Sequence, residues 1–129
     1  MICLEVVPDK LSQVLERLES AIVELDDKLR FKVMLVSEEI ITNQIRHTDF
    51  ENRVPYIEVC IDISVGDGVV MLFRDNAKRF DPLEMEEPDI TKSIDDTELG
   101  GLGIFMVKGY SREIEFEYRD GFNILKVVL

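Results

Sequence analysis

The spacing of apolar positions changes several times along the chain, and each change marks an element. Ile2 to Val7 is a short apolar run ending at Pro8, the signature of a strand. Leu11, Val14, Leu15, Leu18 and Ile22 recur at helical spacing. They predict a helix to about Leu25, with Asp9 placed to cap it. Asp26 and Asp27 interrupt that pattern and favour the start of a second helix through its dipole. Val33, Val36, Ile40 and Ile41 mark the apolar face of this second helix over Phe31 to His47. From Tyr56 the period becomes two: Ile57, Val59, Ile61 and Ile63 alternate with Glu58, Cys60 and Asp62, as in a half-buried strand. Gly66-Asp67-Gly68 is a hairpin turn, and Val69 to Phe73 returns as a strand with Arg74-Asp75 at its end. Ile104 to Lys108 reads as a short helix with Gly109 as its cap. Two final strands, Glu113 to Arg119 and Phe122 to Leu129, flank a turn at Asp120-Gly121.

Hairpin-paired strands with helices inserted between them predict an α/β two-layer sandwich. Its sheet is mixed but mainly antiparallel, and the helices pack on one face. Residues 1–129 suit one domain. Asp81 to Leu99 departs from the pattern. It is rich in acid and Pro and has no period, and an irregular stretch of that length in a compact domain usually serves as a lid or binding loop, or is disordered.

Three polar features break the apolar logic. On the second helix, Glu39, Asn43 and His47 stand four residues apart, and each such step turns only about 40° around the axis, so they form one ladder. Taken alone, the ladder fits a solvated helix face as well as a site. An Asn carbonyl can ligate Mg²⁺, which prefers hard oxygens, and a Glu one turn away can accept a proton from an attacking hydroxyl. Asp75 ends a buried strand, where a carboxylate can accept from the exocyclic amine of adenine and the small Ala77 lets a base approach; a solvated Asx turn is the plainer alternative. Gly100-Gly101-Leu102-Gly103 opens a helix, where free N–H groups and the helix dipole can hold phosphate. An ordinary glycine loop reads the same way. It follows no strand, so neither a Rossmann loop nor a P-loop fits.

The totals narrow the function classes. The formal charge of −12 argues against direct nucleic-acid binding, which needs clustered Lys and Arg. No apolar run of membrane-spanning length occurs, and the start lacks the pattern of a signal peptide, so a cytoplasmic protein without membrane contact is expected. Cys3 and Cys60 form no CxxC pair, and with one histidine there is no zinc set. Both are read as reduced strand residues.

In this order, the three features resemble the GHKL ATPase superfamily and, within it, the bacterial anti-sigma factor serine/threonine kinases. Glu39-Ile-Ile-Thr-Asn43-Gln-Ile-Arg-His47 resembles the N box. Asp75-Asn76-Ala77 through Phe80-Asp81-Pro82 resembles the first glycine box, and Gly100-Gly101-Leu102-Gly103-Ile104-Phe105 the second. The Asn123 segment is similar to the closing strand. The resemblance implies that ATP lies between sheet and helices under a lid formed by the Asp81–Leu99 loop. It implies Glu39 as catalytic base, Asn43 as Mg²⁺ ligand and Asp75 as adenine partner. Ala77 and Phe80 would line the nucleotide site, and Gly100, Gly101, Leu102 and Gly103 would meet the phosphates. His47 lies in the N box without a defined role. The first glycine box departs from the family pattern, with Ala77 and Arg79 where glycines belong; Arg79 would narrow the adenine end or contact nucleotide or partner.

The implied activity is transfer of the ATP γ-phosphate to a Ser or Thr of a small STAS-type antagonist protein, with regulation of a sigma factor. The implied form is a homodimer. The alternative is a nucleotide-dependent binding switch without catalysis. A histidine kinase catalytic domain ranks lower, since the one histidine lies inside the presumed nucleotide site.

Overall fold

The computed structural model describes residues 1–64, 66, 68–85 and 99–129, with side chains omitted for 99–102. Five strands form one sheet: β1 (Ile2–Glu5), β2 (Ile57–Asp62), β3 (Val70–Asp75), β4 (Glu113–Arg119) and β5 (Phe122–Val128), in the spatial order β1-β2-β3-β5-β4. Among the described residues, three helices accompany it: α1 (Leu11–Ala21), α2 (Asp27–Arg46) and α3 (Leu99–Tyr110). A 3₁₀ turn spans Pro82–Glu84.

The sheet is antiparallel at all four strand pairings, which corrects the expectation of a mixed sheet. Two helices separate β1 from β2, so the chain returns at the end of the sheet it left. The β3–α3–β4 crossover does make two strands run the same way, but β5 lies between them and no parallel neighbours result.

Burial follows the predicted periodicity. Leu4, Val59, Ile61, Met71, Phe73, Leu125 and Val127 face the helices, and Val14, Leu18, Val33, Val36, Ile40, Ile41, Ile104 and Val107 meet them. Removing this apolar surface from water is the main stabilising term. The β4–β5 hairpin closes on Asp120 (φ 55°) and Gly121 (φ 82°), the left-handed pair that a two-residue hairpin turn needs. The Gly66 turn also has positive φ, while Asp67 and most of the Asp81–Leu99 stretch fall outside the described residues.

Helix ends differ from expectation in three places. α1 stops at Ala21 rather than near Leu25, because Ile22 donates its N–H to Glu19 O and Leu25 donates to Ile22 O. These tight turns lead into Asp26, whose carboxylate accepts from the Leu29 N–H at 2.8 Å and caps α2. Asp9 caps nothing: Lys10 takes the N-cap position of α1 without a side-chain bond, since the turn at Pro8-Asp9 leaves Asp9 one residue outside. Gly109 is likewise no left-handed cap, as α3 continues through it to Tyr110.

Cys3 and Cys60 are joined in a disulfide, which corrects the reading of both as reduced. The β1–β2 register sets them directly opposite each other, and alternation with Val59 and Ile61 puts them on the sheet face away from the helices. Spacing along the chain does not reveal this, because the two are 57 residues apart and meet only through strand pairing.

Candidate functional site

Asp75 and Asn123 are cross-strand partners at the end of β3 and the start of β5, and both face the helices. A carboxylate taken from water needs its oxygens bonded. Asp75, 3% exposed, has both oxygens bonded. Its Oδ1 accepts from the Ala77 N–H at 3.0 Å and from Asn123 Nδ2 at 2.8 Å. Its Oδ2 accepts from Gln44 Nε2 at 3.1 Å.

Asn123 also shapes the chain that leaves β3. Its Nδ2 reaches the carbonyls of Ala77 (3.2 Å) and Lys78 (3.1 Å), and its Oδ1 accepts from the Phe80 N–H at 2.9 Å. One side chain therefore fixes the Asp75 carboxylate and the following loop together. Asp81 then caps the 3₁₀ turn, accepting from the Leu83 N–H at 2.8 Å.

Asp75, Asn123 and Phe80 help line a cavity of about 30 Å³ between sheet and helices. Ile40, Phe73, Phe80, Pro82, Ile104 and Phe116 supply apolar walls, and Asn43, Gln44, Asp75 and Asn123 the polar groups. Such a volume holds about two waters, so a purine ring enters only if the walls give way.

The sequence-predicted residues take definite places. Asn43 and Asp75 line this cavity together, with Phe80 over it. Asn43 is buried, and its Nδ2 has no partner among the described residues, so one donor remains open at the cavity lining. Its carbonyl oxygen is a hard donor of the kind Mg²⁺ accepts. Glu39 lies one turn back on α2, half-buried, against Gly103 of α3: a β-carbon on Gly103 would collide with the Glu39 carboxylate. Ala77, expected to line the site, is buried but not among the residues lining the cavity; it reaches the site only through its N–H, which donates to Asp75 Oδ1. Gly100, Gly101 and Leu102 occupy the first turn of α3.

Two residues stay outside. His47 is the C-cap of α2 and is exposed, so the ladder ends at Asn43. Arg79 does not narrow the cavity: its guanidinium pairs with Glu84 at 3.4 Å and sits 5.5 Å from the Phe116 ring centre.

Gln44 and the specific role of Asn123 were missed. The signal for Asn123 was a polar residue at an inward position of an otherwise apolar strand, and for Gln44 a second amide directly after Asn43.

Against known proteins, the chain matches the histidine kinase-like ATPase domain over residues 4–129, and it belongs to that family. It is 26% identical over 98 residues to the serine/threonine-protein kinase BtrW of Bordetella bronchiseptica, a match covering 76% of this chain and 68% of BtrW. Its fold is similar to the histidine kinase domain of the Erythrobacter litoralis EL346 blue-light activated histidine kinase, with a TM-score of 0.61 at 15% identity over 92% of this chain. A second structure of that kinase gives a TM-score of 0.63 at 14% identity, again over 92% of this chain. The chain spans 60% and 41% of the lengths of those two structures. Among the described residues, no helix is long and apolar enough to cross a membrane.

Proposed function

We propose that residues 1–129 form one ATP-binding domain that acts as a protein serine/threonine kinase of the anti-sigma factor type. The observation that carries this reading is the buried Asp75 carboxylate beside Asn43 in an apolar cavity, with Glu39 one helical turn away. Asp75 would take the adenine amine. The walls of Ile40, Phe73 and Phe80 would hold the ring, and the first turn of α3, with Gly100 to Gly103, would face the phosphates. The Asn43 carbonyl would hold Mg²⁺, which neutralises phosphate charge when bound. Glu39 would take the proton from the Ser or Thr hydroxyl of the acceptor. Positioning and electrostatics carry most of such a transfer.

The relative's name supports Ser/Thr transfer; the resemblance to anti-sigma factor kinases implies the partners, a small STAS-type antagonist protein as acceptor and a sigma factor as the second partner. The test is thermal unfolding with Mg-ATP and Mg-ADP, followed by incubation with radiolabelled ATP and a STAS-type acceptor. Nucleotide at 100 times its dissociation constant adds about 2.7 kcal/mol of stability. Glu39→Ala abolishes labelling and keeps that stabilisation. The absence of any shift at millimolar nucleotide would sink the proposal.

One observation favours a second reading. The cavity is too small for a base as it stands, so binding is coupled to rearrangement, and a ligand that binds only the opened form shifts that equilibrium. A nucleotide-dependent switch needs nothing more. Tight nucleotide binding with an unlabelled acceptor identifies the switch.

A further inference from the structure

Gln44 has one satisfied and one unsatisfied end, and which is which is fixed by chemistry. The Asp75 carboxylate only accepts, so the Gln44 atom 3.1 Å from Oδ2 must be the amide nitrogen. The other end is therefore the carbonyl Oε1. Gln44 is 6% exposed, and Oε1 is buried with no hydrogen-bond partner among the described residues. A buried acceptor left open costs stability, and Gln44 lines the same cavity as Asp75.

Asp75 Oδ1 already receives two donors, while Oδ2 receives only Gln44. A carboxylate oxygen can take a second donor. Oδ2 of Asp75 and Oε1 of Gln44 are thus two acceptors with room for a further donor, on two side chains that line one cavity and are tied together by the hydrogen bond between them. A primary amine attached to a flat ring carries two N–H donors and matches such a pair. We infer that Gln44 is a specificity-determining residue of the nucleotide pocket: Asp75 takes one N–H of the exocyclic amine and Gln44 Oε1 takes the other. This rests on the nucleotide reading of the cavity and adds to it a demand for an unsubstituted amine. Asp75 alone is satisfied by a single N–H, so it tolerates one alkyl group on the amine. The pair does not, because an alkyl group leaves Oε1 buried and unpaired.

The test compares ATP with N6-methyl-ATP by calorimetric titration of the full chain, with Gln44→Ala and the length-conserving Gln44→Met as variants. Circular dichroism melts check that each is folded. The wild-type protein binds ATP about tenfold or more tightly than the methylated nucleotide, the size of one hydrogen bond lost in a buried site. Both variants bind the two nucleotides within about threefold of each other, with the preference lost on the ATP side. A discrimination ratio unchanged in the variants would overturn the assignment. Tighter ATP binding by both variants would overturn it too, since Gln44 would then be a plug over Asp75. Binding of neither nucleotide by the wild-type protein would remove the nucleotide pocket itself, and this inference with it.

Discussion

Glu39 on α2 and Gly103 on α3 touch so closely that no β-carbon fits between them. The second glycine cluster thus does a job besides its proposed approach to phosphate: its last glycine makes room for the proposed base. The obstructing atoms are the end of a flexible side chain, so a methyl group there displaces the carboxylate rather than the helix. Alanine also suits a helix better than glycine, by about 1 kcal/mol. Gly103→Ala is therefore expected to melt at the same temperature or slightly higher, and to transfer phosphate at least tenfold more slowly, since a placed base contributes about 10²–10⁴ in rate. Melting curves and single-turnover labelling check both halves. Unimpaired transfer would show that Glu39 need not sit where the structure has it.

Asn123 carries more hydrogen bonds than any other side chain around the cavity. Its amide serves Asp75, the Ala77 and Lys78 carbonyls and the Phe80 N–H at once. Truncation leaves several buried groups open, each costing about 1–3 kcal/mol. Asn123→Ala is expected to lose about 2–4 kcal/mol in urea denaturation and to weaken nucleotide binding together with it. Asn123→Asp fares worse in binding, because it faces the Asp75 carboxylate with a second negative charge. A variant with normal nucleotide affinity would mean that Asp75 holds its place without help.

Much of this arrangement was legible in the chain. The N-box spacing put Glu39 and Asn43 on one helix face, and period-two alternation marked β2 and β4 while the turns at Gly66-Asp67-Gly68 and Asp120-Gly121 marked their partners β3 and β5, because these signals are local and the core enforces them. What escaped was set by pairing between distant strands. Asn123 meets Asp75, and Cys3 meets Cys60, only through the ladder register. His47 shares the ladder's spacing but not its fate: it is the C-cap residue where α2 ends, and it is exposed while Asn43, four residues back, is buried.

Arg79 replaces a glycine of the family pattern, and from sequence it threatened the adenine end. In the structure it lies on the surface, paired with Glu84 across two exposed side chains. Exposed pairs of this kind contribute about 0–1 kcal/mol, and the guanidinium is not among the groups lining the cavity. Arg79→Ala is expected to change stability by less than about 1 kcal/mol and to leave the ATP dissociation constant within about threefold of wild type. Loss of phosphorylation of an acceptor protein with intact ATP binding would assign Arg79 to partner contact instead. Titration calorimetry and labelling separate the two.

The Cys3–Cys60 bond ties β1 to β2 on the face of the sheet opposite the cavity, and it closes a loop across 57 positions of sequence. Cross-linking removes loop-closure freedom from the unfolded chain, and for a loop of that length the entropic account gives roughly 4 kcal/mol. Reduction is expected to lower the melting temperature by roughly ten degrees or more, and Cys3→Ser/Cys60→Ser is expected to melt like the reduced protein and to ignore reductant. The strands still hold each other through the ladder from Ile2↔Ile61 to Glu5↔Glu58, and the helix-facing side chains around Asp75 are untouched. Nucleotide affinity well below the melting point should therefore be the same with and without reductant. Melts and titrations in both states, with thiol counting by mass, test this directly. Two free thiols in the untreated protein and no reductant-dependent shift would show that the bond contributes nothing to the folded state.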